Sequence, residues 1–223
     1  MTRLLMLLIC LMLAPLPGHA RSLPVAPDLS PRLDVDYEVL STPQPTYVQG
    51  KKIEVAEVFS YRCSHCADFQ PTVNAWLKSK PADVRWEYVP AAFGGSWDTC
   101  ARAFFAAETL GVLKTTHDAV FKGIFQEHLI SSSTLEELAD LYARFGVDRA
   151  RFLATMQSDA MTAKLARARE FVLRTGVPGT PSIIVNGKYR VKATRERSFD
   201  GMMATVDFLL AKERADAKAA RKP

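Results

Sequence analysis

The sequence predicts an α/β fold, in which a small sheet domain is split by an all-helical insertion. Three observations carry that expectation. Short, β-branched and mostly apolar runs occur at Ile53–Ser60, Val84–Val89 and Pro181–Val185, as in strands buried inside a sheet. Residues 97–175 contain no proline and are rich in Ala, Leu, Arg and Glu, which is helical texture. After Gly176 the strand pattern returns, with an Asn186-Gly187 hairpin signal.

The elements follow in order. Residues 1–20 read as a secretory signal: Arg3, an apolar run from Leu4 to Leu13, then Gly18-His19-Ala20 before a cut after Ala20. Cys10 lies in that run and leaves with it. The run is too short to span a bilayer, so the mature chain is expected in an oxidising, exported compartment. Residues 21–45 form a Pro-rich, irregular leader with a short edge strand at Tyr37–Leu40, ended by Pro43 and Pro45. The first part of the sheet domain spans 46–96. There Ile53–Ser60 feeds a helix running to Lys78, which Pro71 should kink, and Val84–Val89 completes a βαβ unit.

Four or five helices fit the insertion, 97–175. Gly111, Gly146 and Gly176 act as C-terminal stops. Ser133-Thr134-Leu135-Glu136-Glu137 has the form of a capping box, and Asp148 caps a further short helix. The second part of the sheet domain spans 176–215. Pro181–Val185 pairs back with Lys188–Val191, and a terminal helix starts at Ser198 or Asp200. A basic tail, 216–223, follows.

Composition narrows the function. The chain has 223 residues, 48% of them hydrophobic and 24% charged, which excludes wholesale disorder. Its net charge of +5 gathers partly at the C-terminal end, in Lys212, Arg214, Lys218, Arg221 and Lys222. No basic stripe with interleaved aromatics marks a nucleic-acid surface, so no nucleic-acid partner is expected.

The chemistry-bearing residues are Cys63 and Cys66, where the strand ends and the helix begins. Two cysteines three apart come within disulfide range on a first helical turn. There the Cys63 sulfur meets unpaired backbone N–H groups and the positive end of the helix dipole, and both favour thiolate. His65, between the cysteines, adds a donor or a positive charge. Cys66 lies one turn inward. Cys63 is therefore read as the accessible, exchanging sulfur and Cys66 as the resolving one. A zinc site would need a second ligand pair, which the sequence lacks, so neither metal nor organic cofactor is expected. Cys100, beside Trp97, Phe104 and Phe105, reads as a buried small hydrophobe, and His117 and His128 as surface or capped histidines. Pro181 is an odd opening for a buried strand; a cis Thr180–Pro181 bond would explain it.

The segments EVAEVFSYRCSHC (54–66) and VPGTPSIIVNGKY (177–189), with the helical block between them, resemble the DsbA family of periplasmic thiol:disulfide oxidoreductases. The resemblance covers residues 36–212 and implies a thioredoxin fold with an inserted helical domain. It implies that Cys63 attacks, that Cys66 is the buried partner, and that Pro181 is a cis-proline. It also implies that the backbone of Thr180 pairs with substrate and that Glu57 is a buried acid influencing proton transfer. The plainer role for Glu57 is a half-buried strand carboxylate paired with a neighbour such as Arg85. Ser64, near the sulfurs, stands where the family commonly has proline, which bears on the redox potential. The function implied is donation of the Cys63–Cys66 disulfide to newly exported proteins. The implied partners are reduced exported polypeptides and a quinone-linked membrane reoxidase of the DsbB type, and a monomer is expected. A reductase or isomerase of the same fold, and a non-catalytic peptide-binding chaperone, are the alternatives.

Overall fold

The structure, a computed structural model, describes residues 30–221. The signal-peptide reading, the cleavage after Ala20 and the start of the leader lie outside the described residues. Five strands, β1 (Tyr37–Val39), β2 (Ile53–Phe59), β3 (Val84–Pro90), β4 (Ser182–Val185) and β5 (Tyr189–Lys192), form one sheet in the order β1-β5-β4-β2-β3. The βαβ unit is present: β2 and β3 pair in parallel, joined through α1 (Ser64–Leu77). All other pairings are antiparallel. Asn186 and Gly187 close the β4–β5 hairpin, both at positive φ (50° and 65°). A Cβ on Gly187 would lie 2.0 Å from the Gln44 carbonyl oxygen, so only glycine fits there.

Alternation along the strands divides the core. On one face Val55, Ile183 and Val185 pack with Phe69 and Val73 of α1 and with Met202, Val206 and Leu209 of α7 (Ser198–Ala219). On the other, Ala56, Val58 and Ile184 pack with the helical block. That block holds α2 (Ser96–Thr109), α3 (Leu113–Phe125), α4 (Leu135–Arg144), α5 (Arg149–Gln157) and α6 (Asp159–Arg174). Thr134 and Glu137 form the expected capping box on α4, and Asp148 caps α5 by accepting from Arg151 N–H at 2.7 Å.

The helix after Cys63 runs through Pro71 to Leu77, with Lys78 as its C-cap, as the sequence suggests. One expectation differs in detail. The basic tail begins as helix, because α7 extends to Ala219 through strong helix formers and a Lys212–Asp216 pair one turn apart. No helix among the described residues is long and apolar enough to cross a membrane.

The stretch before β2 is held by a buried carboxylate. Glu54, 1% exposed, accepts the Tyr47 and Val48 N–H groups at 2.5 and 2.7 Å and Arg85 Nη2 at 2.9 Å. Burial raises its pKa against these donors, which lower it. Glu54→Ala would strand the Tyr47 and Val48 N–H groups and take from Arg85 one of its partners, leaving it the Val48 carbonyl and Glu87. We expect a loss of about 3 kcal/mol, read as a Tm lower by about 6 to 12 °C for a chain of this size. A loss under about 1 kcal/mol would show that the network is not holding this stretch.

Candidate functional site

β2 ends at Phe59, Tyr61 is buried in an aromatic cluster, and Cys63 becomes the N-cap of α1. Its sulfur accepts the Cys66 N–H at 3.2 Å, one of the donors a helix start leaves unpaired. On its other side, 3.3 Å away, is the Thr180 carbonyl oxygen, to which the Cys63 thiol donates. The Thr180–Pro181 peptide bond is cis, and this loop, 117 residues distant in sequence, closes over the first cysteine.

The two thiols, both free, are driven apart. The Cys63 pKa is lowered to about 6, first by the Cys66 thiol donating to its sulfur, then by the Thr180 side chain, the Cys66 N–H and the charge of His65; burial opposes them. The Thr180 carbonyl favours the protonated thiol and works against its own side chain. Cys66 is fully buried, and its pKa is raised far above the ordinary range by burial, then by the Cys63 sulfur and the Glu57 carboxylate.

Glu57 is 1% exposed. Burial, with a smaller contribution from Cys63, raises its pKa to about 8. Its Oε2 has no hydrogen-bond partner. The alternative pairing with Arg85 does not occur. Arg85 bonds Glu54 and lies 3.0 Å from Glu87. The reason is register: Arg85 is the cross-strand partner of Glu54 and Tyr88 that of Glu57, and residues three apart on a strand point to opposite faces.

Other expected residues fall as follows. Ser64 and His65 are exposed on the first turn of α1. Cys63 is less open than the sequence suggests, at 7% exposed, because the Thr180–Pro181 loop covers it. Cys100 is buried, as expected, and burial pushes its thiol up to about 12. His128 is exposed. His117 corrects the expectation of a surface or capped role. It is 6% exposed, bonded to the Tyr61 hydroxyl at 2.8 Å and to Gln70 Oε1 at 3.2 Å, and burial lowers its pKa to about 3. Lys192, Arg195 and Phe199, which carry no motif in the sequence, line the open surface next to His65, and Lys192 and Phe199 share it with Thr180. The signal available was the run of basic residues between the hairpin and the last helix.

The geometry is that of a dithiol pair with one reactive and one protected sulfur, and comparison with known proteins agrees. The thioredoxin family model matches residues 48–207. The thiol:disulfide interchange protein DsbA of Pseudomonas aeruginosa is 40% identical over 183 residues, 82% of this chain and 86% of that protein. The chain belongs to the DsbA family. The DsbA relative from Pseudomonas syringae pv. tomato is also 40% identical, over 83% of this chain and 86% of its own length. The crystal structure of Pseudomonas aeruginosa DsbA superposes with a TM-score of 0.78 at 39% identity, covering 84% of this chain and 96% of that one. DsbA from Xylella fastidiosa gives 0.76 at 38% identity, covering 81% and 96%. Like them, this DsbA-family chain is a thioredoxin-fold thiol:disulfide oxidoreductase, and its Cys63–Cys66 pair lies at the start of α1.

Proposed function

We propose that this protein is a periplasmic dithiol oxidase that donates its Cys63–Cys66 disulfide to newly exported polypeptides. The observation that carries the reading is the placement of the two sulfurs: Cys63 caps α1, accepts the Cys66 N–H and borders the Thr180–Pro181 loop, whereas Cys66 is sealed beneath it. A substrate thiolate attacks the Cys63 sulfur, the Cys63–Cys66 bond breaks, and Cys66 leaves with the electron pair and takes up a proton. A second substrate thiolate then attacks the mixed disulfide. Substrate leaves as a disulfide, Cys63 leaves as a thiolate, and the enzyme is two electrons reduced. The easier it is for Cys63 to remain a thiolate, the more stable the reduced enzyme and the stronger the oxidant.

In this reading Cys63 and Cys66 are catalytic and His65 supports the thiolate. Thr180, next to Pro181, offers its backbone as an edge for an extended substrate segment, with Ser64 on the rim. Glu57 serves the proton of Cys66. Reoxidation falls to a quinone-linked membrane partner of the DsbB type. The protein works as a monomer after its signal is removed behind Ala20.

The potential tests the oxidase reading through its pH dependence. With Cys63 at about 6 and Cys66 far higher, reduction takes up two protons below pH 6 and one above it. The potential measured against glutathione should fall by about 59 mV per pH unit below pH 6 and by about 30 mV above it. A single slope of about 59 mV through pH 8 would mean that Cys63 is an ordinary thiol and would remove the basis for an oxidant.

A further inference from the structure

One open groove adjoins the contact between Cys63 and Thr180, and a second continues from it past His65 and Phe199. One, of about 380 Å³, is lined by His65, Pro178, Thr180, Pro181, Lys192 and Phe199 among others. The second, of about 360 Å³, shares His65 and Phe199 and extends to Thr194, Arg195 and Ser198. The combined surface has apolar ground in Pro178, Pro181 and Phe199 and a basic side from the β5–α7 connection. No carboxylate lines either groove.

The charges along that connection are mostly spent. Lys192 pairs with Glu38 at 2.9 Å, Glu196 with Arg32 at 2.5 Å, and Arg197 with Asp36 at 3.3 Å. Arg195 is exposed and has no ion pair among the described residues. Its guanidinium is a fixed fork of donors suited to a carboxylate, and it is the uncompensated cation of the groove wall. A neighbouring backbone edge at Thr180 and a reactive sulfur at Cys63 fix where an extended segment would run.

We propose that Arg195 is a specificity residue, favouring substrate segments that carry Asp or Glu within a few residues of the reacting cysteine. This rests on the disulfide-exchange reading above. The carboxylate meets the Arg195 guanidinium while the cysteine thiolate attacks Cys63 and Cys66 departs. The ion pair forms in the encounter and takes no part in the electron transfer.

The test uses the oxidised full-length mature protein, two cysteine peptides differing only in Glu or Lys flanking the cysteine on both sides, and uncharged dithiothreitol. Reduction is followed by stopped-flow fluorescence. Glu and Lys also change the peptide thiol itself, so the quantity read is the Glu-to-Lys rate ratio in each protein variant. One exposed ion pair is worth a few-fold, so Arg195→Gln should lower that ratio about threefold and Arg195→Glu about tenfold. Half-molar salt should erase the difference between variants, and the dithiothreitol rate should stay unchanged. Equal ratios in wild type and both variants, or a parallel change with dithiothreitol, would overturn the assignment to Arg195. Failure of wild type to oxidise any of the three thiols would instead overturn the exchange reading.

Discussion

Replacing Cys66 by alanine is expected to end turnover, because no disulfide is left to donate; when the variant is given a substrate in its disulfide form, the Cys63 thiolate attacks one substrate sulfur, the other leaves as a thiolate, and a mixed disulfide accumulates at Cys63 in one-to-one amount, visible by mass spectrometry and reversed by dithiothreitol. Cys63→Ala should abolish exchange and trap nothing. The asymmetry follows from position: Cys63 retains some exposure and borders the open groove through Thr180, whereas Cys66 is sealed. The same Cys66 variant tests what makes Cys63 acidic. The largest lowering contribution is the Cys66 thiol donating to the Cys63 sulfur. A hydrogen bond to a charged group is worth about 1.5 to 3 kcal/mol, and each pKa unit about 1.36 kcal/mol. Iodoacetamide alkylation of Cys63 against pH should therefore place its pKa about 1 to 2 higher in Cys66→Ala than in wild type. His65→Ala should move it less, because His65 is exposed and its charge is the weakest of the lowering causes. An unmoved pKa in Cys66→Ala would assign the effect to the remaining groups, the Thr180 side chain, the Cys66 N–H and His65.

Much of this site could be read from residue order. The strand Ile53–Phe59, the helix start at Cys63 and the turn at Asn186-Gly187 are local features, set by alternation, capping and positive φ, and they appear where the pattern places them. What escaped depends on contacts between distant segments. His117 sits on a helix among polar neighbours, and its burial is decided by Tyr61 and Gln70, 56 and 47 residues away. The pairing of Arg85 needed the register of β2 against β3 before Glu54 and Glu57 could be told apart. Arg195 stands out because Arg32, Asp36 and Glu38 neutralise its neighbours from the other end of the chain. The extent to which Cys63 is covered likewise came from a loop far along the sequence.

Glu57→Leu should leave a protein that is more stable and slower. The carboxyl lies on the sheet face of Val55 and Ile183, which α1 covers, with one oxygen unpartnered. Its folded pKa of about 8 lies above the ordinary 4.5. A raised carboxyl contributes its full stability below about pH 4.5 and loses it as pH rises through about 8, because the unfolded chain ionises first. At pH 7 that penalty is roughly 3 kcal/mol, from 1.36 kcal/mol per pH unit above 4.5. Removing the carboxyl should recover much of it and flatten the decline of stability between pH 5 and 8 in denaturant titrations. The cost falls on the proton. When substrate attacks Cys63, Cys66 leaves into a site where its thiolate is strongly disfavoured, and at neutral pH Glu57 is the protonated acid beside it. General acid catalysis contributes about 10² to 10⁴-fold, so the rate of disulfide donation should drop by at least about 10², while alkylation of Cys63 in the reduced enzyme continues near its wild-type rate. Glu57→Gln, which keeps the shape but holds no transferable proton, should be as slow as Glu57→Leu. A fast Glu57→Gln enzyme would mean that Cys66 takes its proton by another route.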